Sequence, residues 1–444
     1  MKPALFSSLD IMIGAGWFLI ILTVFLFIWM NNKEKEHYRF FLPALLFKLF
    51  FAFFFAFVYV KIMYDGGDTL EYWQGAYNLN QLFWENPMHY FNEILQTPSF
   101  STLTKYFNQE TGYPPAWIYK EPESFFISKI ISVFTFFTFN SYIALSLICG
   151  TIIFLSSWRM FEFLREFAPT KSWIIVFASL FIPTVAFWCS GISKDTFVLA
   201  AAQYCIVILL SFLLKKKSFS FKNVVLLLLS SFILYRTRNF MLVAIYGPFF
   251  LVFILRIIKK ITRDVFFRTI LKFFTVFIFM IIAFVYLNYN EKELNNNQFI
   301  QEANIKQQDF AQNSTYGGKR YDLEITDYSL VGMIKAIPIS IITAFYRPFL
   351  WEATSPFLLL SGIEGLLLMY FTFNFFFRSG NMIRHFSFVG NQELLVFALV
   401  FTLILGFFAG YTAGLYNVLV RFKAPLMTLL FIFFSAKSIN KQAF

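Results

Sequence analysis

Charge is what this chain has least of. Only 14% of its 444 residues are Asp, Glu, Lys or Arg, while 58% are hydrophobic and 67 are Phe. A soluble domain of this length could not keep so much apolar surface from water, so that class is excluded. Cysteine is also scarce. Cys149, Cys189 and Cys205 lie within or at the ends of apolar runs, and their odd number and lack of a C-x-x-C spacing argue against a disulfide framework or a metal site. His37, His89 and His385 fall in separate loops and form no ligand cluster in the sequence. There is no Walker A motif, no G-x-G-x-x-G opening a dinucleotide fold and no G-x-S-x-G, so a nucleotide is not the expected energy source. No internal repeat, separate soluble domain or signal-peptide cleavage pattern is visible. The net charge of +12 could suggest nucleic acid. The basic residues mostly flank apolar runs, however, so membrane topology accounts for the excess and nucleic acid is not an expected partner.

What is present is one apolar run after another, many near the roughly 18–20 residues that span a bilayer. Spans are predicted at roughly 10–30, 40–64, 141–157, 172–190, 195–214, 223–236, 239–257, 268–287, 356–377, 393–416 and 424–437. Two more stretches, 125–138 and 331–351, are amphipathic or broken by Pro338 and Pro348. They read as re-entrant or interfacial, because non-helical backbone at membrane depth survives only when shielded. The expected fold is an all-α polytopic membrane protein: a single integral membrane domain over 1–444, with about 11 transmembrane helices and one or two re-entrant or interfacial helices.

Basic residues set the orientation. Lys33, Lys35 and Arg39; Arg159, Arg165 and Lys171; Lys215, Lys216, Lys217 and Lys222; Arg256, Lys259, Lys260 and Arg263; Arg378 and Arg384; and Lys437 and Lys441 all fall on one side if there are eleven spans. That side is then cytoplasmic, with the N-terminus outside. Two long outer loops follow. Residues 65–124 are aromatic and polar and can fold over the membrane surface. Residues 288–330 are Asn/Gln-rich and read as a helical segment ending in a mobile Gly317-Gly318 turn, a candidate lid.

The few charges cluster at the outer ends of spans. Gly66-Gly67-Asp68 is followed by Glu71 and Tyr72. Asp68 and Glu71, at i and i+3, share a helix face and suit a general base or a divalent-cation site; the plainer alternative is that Asp68 caps a surface helix. Ser193, Lys194 and Asp195 open the fifth span. Ser193 and Asp195 suit a helix N-terminus, and Lys194 makes a phosphate-binding spot there. Arg236 and Arg238 occupy a tight outer turn, where arginine is disfavoured unless it meets phosphate or headgroups. Arg347 and Glu352 flank Pro348 at a charged tip, or pair with each other. Glu364 lies within a span and needs a basic partner or neutralisation. Arg421 and Lys423 close the set, with lipid headgroups as their ordinary partner.

Taken together, Gly-Gly-Asp68-x-x-x-Tyr72, Phe-Trp-x-Ser190-Gly-Ile-x-Lys194-Asp195, Tyr-Arg236-x-Arg238, Tyr-Arg347-Pro-Phe-Leu-Trp-Glu352 and Asn417-x-x-x-x-Arg421-x-Lys423 resemble bacterial polytopic membrane glycosyltransferases of the GT-C-like kind. They equally resemble O-antigen or exopolysaccharide polymerases of the Bacteroidetes type. The resemblance implies a multi-pass protein of the bacterial inner membrane, N-terminus periplasmic and C-terminus cytoplasmic. It would transfer or polymerise sugars from a donor on undecaprenyl phosphate or pyrophosphate at the periplasmic face. Asp68 and Glu71 would then be catalytic, with Mg or Mn as a candidate cation between them. Tyr72, Lys194, Asp195, Arg236, Arg238, Arg347, Glu352, Glu364, Arg421 and Lys423 would bind substrate or its phosphates. The chain departs from that pattern in carrying Asp-x-x-Glu rather than an acid pair or D-x-D. The partners would be a polyprenyl-linked glycan and membrane lipids. Two readings compete: a flippase or other transporter of lipid-linked oligosaccharide, with charges spread through the depth of the spans, and a non-catalytic membrane subunit that tolerates Asp68→Asn.

Overall fold

The computed structural model describes residues 4–63, 67–215, 220–261, 330–377 and 392–437, with 305, 307–310, 317–323, 325 and 390. The expected span at 268–287, most of the 288–330 loop and several of the orienting basic residues lie outside the described residues. Among the described residues the protein is helical, apart from an isolated antiparallel bridge between Arg320 and Leu415. In chain order the helices are α1 (Ser8–Met30), α2 (Phe41–Phe57), α3 (Gly67–Glu85), α4 (Pro87–Leu95), α5 (Phe100–Tyr106), α6 (Ala116–Lys120), α7 (Pro122–Thr138), α8 (Tyr142–Phe167) and α9 (Ser172–Leu180). They continue as α10 (Pro183–Trp188), α11 (Lys194–Lys215), α12 (Phe221–Thr237), α13 (Phe240–Ile261), α14 (Leu330–Tyr346), α15 (Pro356–Phe377), α16 (Glu393–Ala413), α17 (Tyr416–Phe422) and α18 (Ala424–Ser435).

Seven of these are long and apolar enough to cross a membrane: α1, α2 with its flanking turns (Glu36–Ile62), α8, α11, α13, α15 and α16. The pair α17–α18, bent by 66°, makes an eighth if it counts as one span. This is the architecture of a multi-pass membrane protein. The described helices do not themselves reach eleven spans. The run at 172–190 divides into α9 and α10, because Pro183 has no N–H to continue a helix and holds Ile182 extended at φ −71°, ψ 115°. The run at 223–236 is α12, 17 residues long. The stretch at 331–351 also departs from expectation. Pro338 sits inside α14 without ending it, and the helix stops instead just before Arg347-Pro348, where the residue preceding proline is pushed out of the helical region.

The chain forms two compact units. The first comprises Met1–Glu162, Ser179–Tyr204 and Val225–Asn239; the second comprises Phe163–Ala178, Cys205–Val224 and Phe240–Phe444. In the first, α1 and α2 lie as a hairpin, with the Phe6 ring 6.1 Å from Phe57. The start of α8 joins their outer end, as Ser141 donates to the buried Asp10 carboxylate at 2.5 Å. Helices α3 and α7 run side by side in the same direction. Ser128 donates to the Tyr72 carbonyl at 3.0 Å, and Asn80 donates to Thr135 at 3.0 Å. Tyr72, Phe125, Tyr142, Ile192 and Phe197 share one apolar cluster, with Ile233 packed against it.

In the second unit α14 crosses α16 at backbone contact. A Cβ added at Gly410 would stand 1.9 Å from the Ser340 carbonyl oxygen, and one at Gly406 would stand 2.8 Å from the Phe345 ring. The Gly406-x-x-x-Gly410 spacing puts both glycines on one helix face, the small-residue arrangement that lets helices approach closely in apolar surroundings.

Candidate functional site

The predicted site residues divide between the two units. Asp68, Glu71, Tyr72, Lys194, Asp195, Arg236 and Arg238 belong to the first; Arg347, Glu352, Glu364, Arg421 and Lys423 belong to the second.

In the first unit the acidic motif forms the opening turn of α3. Gly67 takes φ +49° with its Cα against the Tyr59 ring, a conformation and a space that favour glycine. Thr69 and Tyr142 share a hydroxyl hydrogen bond of 2.9 Å, which pins this turn to the start of α8. Tyr72 is buried, so it packs rather than facing an open site. The 72–128 and 80–135 contacts set a register that places Asp68 level with the first turn of α7. That turn carries Glu123, whose carboxylate is 3.5 Å from the Lys194 ammonium. The next residue, Asp195, accepts a hydrogen bond from Arg238 in a buried ion pair. Arg236 lies with its guanidinium 5.6 Å from the Phe126 ring centre. Ser193 caps α11 as expected, accepting from the Thr196 N–H at 3.2 Å. The result is a set of helix ends carrying both signs of charge, built on an apolar cluster.

In the second unit Arg347 is held on several sides. Its Nε donates to Glu352 at 2.9 and 3.2 Å, its Nη2 donates to the same carboxylate, and it also donates to the Tyr416 hydroxyl at 2.6 Å. The Tyr321 and Tyr416 rings lie 5.5 and 5.3 Å from the guanidinium carbon. Glu352 accepts in addition from the Phe349 N–H at 2.8 Å. Burial works against charge on both partners. The reciprocal hydrogen bonds outweigh it, so Arg347 is shifted up and Glu352 down from their ordinary ranges. The pairing of Arg347 with Glu352, the alternative weighed from the sequence, is thus what forms. Lys423, fully buried, donates to the Arg347 carbonyl at 2.8 Å and feels the charge of the buried Glu364. Glu364 therefore has a basic group nearby, as its depth requires. Arg421 sits half-buried in the last turn of α17. The Gly317-Gly318 turn leads into the 320–415 bridge, where Tyr416 N–H donates to the Lys319 carbonyl at 3.1 Å.

Several polar residues were not picked out in the sequence. Lys129 of α7 donates to the backbone carbonyls of Glu93 and Gln96, and its ammonium lies 4.0 Å from the Glu93 carboxylate. Tyr119 donates to the same carboxylate at 3.1 Å. Lys48 lies within the span Glu36–Ile62 and is 1% exposed, with the Phe47 ring 5.9 Å from its ammonium. A lone lysine inside an apolar run was the signal for it. Among the described residues no group of three or more His, Cys, Asp and Glu side chains could hold a metal ion. Asp68 and Glu71 offer two carboxylates, the number that ordinarily holds Mg alongside waters and substrate phosphates.

Compared with protein-family models, curated proteins and solved structures, the chain matches none.

Proposed function

We propose that the protein assembles glycan in the bacterial inner membrane, with its N-terminus periplasmic and its C-terminus cytoplasmic. It would transfer or polymerise sugars from a polyprenyl phosphate- or pyrophosphate-linked donor at the periplasmic face. One observation supports this reading above others: the acid-bearing first turn of α3 is level with the α7 end whose Glu123 meets Lys194. In the proposed step, a carboxylate of that turn, Asp68, takes the proton from an acceptor hydroxyl. The hydroxyl oxygen bonds to the anomeric carbon. The bond from that carbon to the phosphate oxygen breaks, and the electron pair leaves with the lipid phosphate. Lys194 and Arg236 would offset the charge that develops there. No step needs a nucleotide or a metal ion.

The test is Asp68→Asn, Glu71→Gln and Arg236→Ala, each matched to wild type for abundance and thermal stability. Surface glycan shortened or lost while lipid-linked precursor accumulates is the expected result. Unchanged glycan in all three variants sinks the enzyme reading.

A transporter of lipid-linked oligosaccharide is the second reading, and Lys48 favours it. A lysine fully buried inside a span is the in-depth charge that such a path calls for. If Lys48→Met blocks glycan export while Asp68→Asn does not, the transporter reading replaces the first.

A further inference from the structure

Helix α4 presents one face to α7 and an apolar face outward. Its buried side carries Tyr90 and Glu93, which bond Ser132 and Lys129 of α7. Its other side, Met88, Phe91 and Leu95, is 67%, 54% and 85% exposed. Trp84, in the last turn of α3, is 71% exposed, and Phe137 of α7 is 63% exposed. Trp84 and Phe91 are linked through the rings of Phe83 and Phe136. Trp84 stacks edge-on to Phe136 at 6.3 Å, Phe83 meets Phe136 at 4.7 Å, and Phe83 meets Phe91 at 6.2 Å. An exposed face of large apolar and aromatic side chains of this kind marks an interaction surface.

The first unit also fixes where this face lies relative to the spans. Three span ends meet near Asp10: α1 begins there, α8 begins at Tyr142 beside it, and the Lys61 ammonium at the end of the second span lies 5.9 Å from the Phe6 ring. Helix α3 is tied to this level twice. Thr69 bonds Tyr142, and the Asn80 side chain accepts from Asn140 at 3.2 Å. The two ties are roughly 16 Å apart along the axis at about 1.5 Å per residue. A helix anchored to the span-end level at both points runs along it rather than away from it, and it delivers Trp84 and α4 at the same level.

We propose that the face formed by Trp84, Met88, Phe91, Leu95 and Phe137 is seated in the acyl and headgroup boundary of the leaflet at which α1 and α8 begin. Helices α3, α4 and α7 form an interfacial platform, not a water-facing domain. Trp84 and the phenylalanines supply the aromatic character typical of that depth. The platform holds the first turn of α3, with Asp68 and Glu71, at headgroup level. The proposal rests on the membrane architecture alone and stands whether or not the protein makes glycan.

Cysteines introduced at Met88, Phe91 and Leu95, with Glu110→Cys as an exposed control, would carry nitroxide labels in the full chain in phosphatidylcholine nanodiscs. The native Cys149, Cys189 and Cys205 are buried. Power saturation should show collisions with oxygen exceeding those with a soluble nickel chelate several-fold at 88, 91 and 95, and the reverse at 110. Nickel dominating at 88, 91 and 95 would place the face in water and overturn the proposal. Spin–spin broadening between chains would instead make it a contact between copies. Labels shielded from both reagents would make it a protein-covered surface. Either of these also refutes lipid seating.

Discussion

Asp195 and Arg238, 43 residues apart in sequence, form a buried ion pair that ties the start of α11 to the end of α12. Both are desolvated, at 2% and 8% exposure. Removing one partner leaves the other charge buried alone, which costs far more than the pair itself contributes. Asp195→Ala or Arg238→Ala is therefore expected to destabilise the protein by about 3–5 kcal/mol. The double variant should recover part of that loss. Thermal unfolding in detergent measures all three. Single variants as stable as wild type would show that the pair does not hold the helix ends.

Arg347 and Glu352 predict a pH dependence. The Glu352 carboxyl is held below its ordinary value of 4.5 because hydrogen bonds from Arg347, Tyr416 and the Phe349 N–H outweigh burial. A carboxylate with a depressed folded pKa contributes stability that is fully present above its unfolded value. That stability is lost as pH falls through the folded value. Wild type should thus lose stability relative to Glu352→Gln as pH drops below about 4.5. Parallel pH curves for the two proteins would refute the assignment.

Lys129 and Glu93 predict two contributions of opposite sign to each other. Burial lowers Lys129 to about 8 and raises Glu93 above 4.5. From about 8 to 10.5 the unfolded chain keeps the Lys129 proton that the folded chain has released, so stability from this group rises with pH. Above 4.5 the folded chain keeps the Glu93 proton longer, so that contribution falls with pH. Lys129→Met should abolish the alkaline rise. It should also lower stability near neutrality, because the carbonyls of Glu93 and Gln96 lose a shared donor. Stability against pH for both proteins tests this.

The crossing of α14 and α16 predicts a contrast between two glycines. Alanine at Gly410 would collide with the Ser340 carbonyl, so Gly410→Ala should force the helices apart and destabilise the second unit. A Cβ at Gly16, within α1, meets nothing within 4 Å. Gly16→Ala should be neutral or stabilising by up to about 1 kcal/mol, from helix propensity alone. Equal melting temperatures for the two variants would contradict the close crossing.

Much of the helical frame was legible in the chain. Long apolar runs with charge at their ends read correctly at α1, α2, α8, α11, α13, α15 and α16, because span length and apolar composition are local properties. Proline was read less well. Pro183 breaks a run that looked continuous, and Pro338 leaves intact one that looked broken. Both prolines lack the N–H, but whether neighbouring helices support the freed carbonyl is not written beside the proline.

The sequence by itself determined that this protein lives with apolar surroundings, that its helices are long, and that many of its charges fall near helix ends. Only the tertiary structure decided which charges meet. Arg347 takes Glu352 five residues on, whereas Arg238 takes Asp195 from another helix and Lys194 takes Glu123 from a third. Ion pairing depends on side-chain separation in a dry interior, and that separation is set by helix packing and not by spacing along the chain. The same packing buried Lys48 and laid α3 level with the span ends, placing Asp68 and Glu71 where the sequence could only list them.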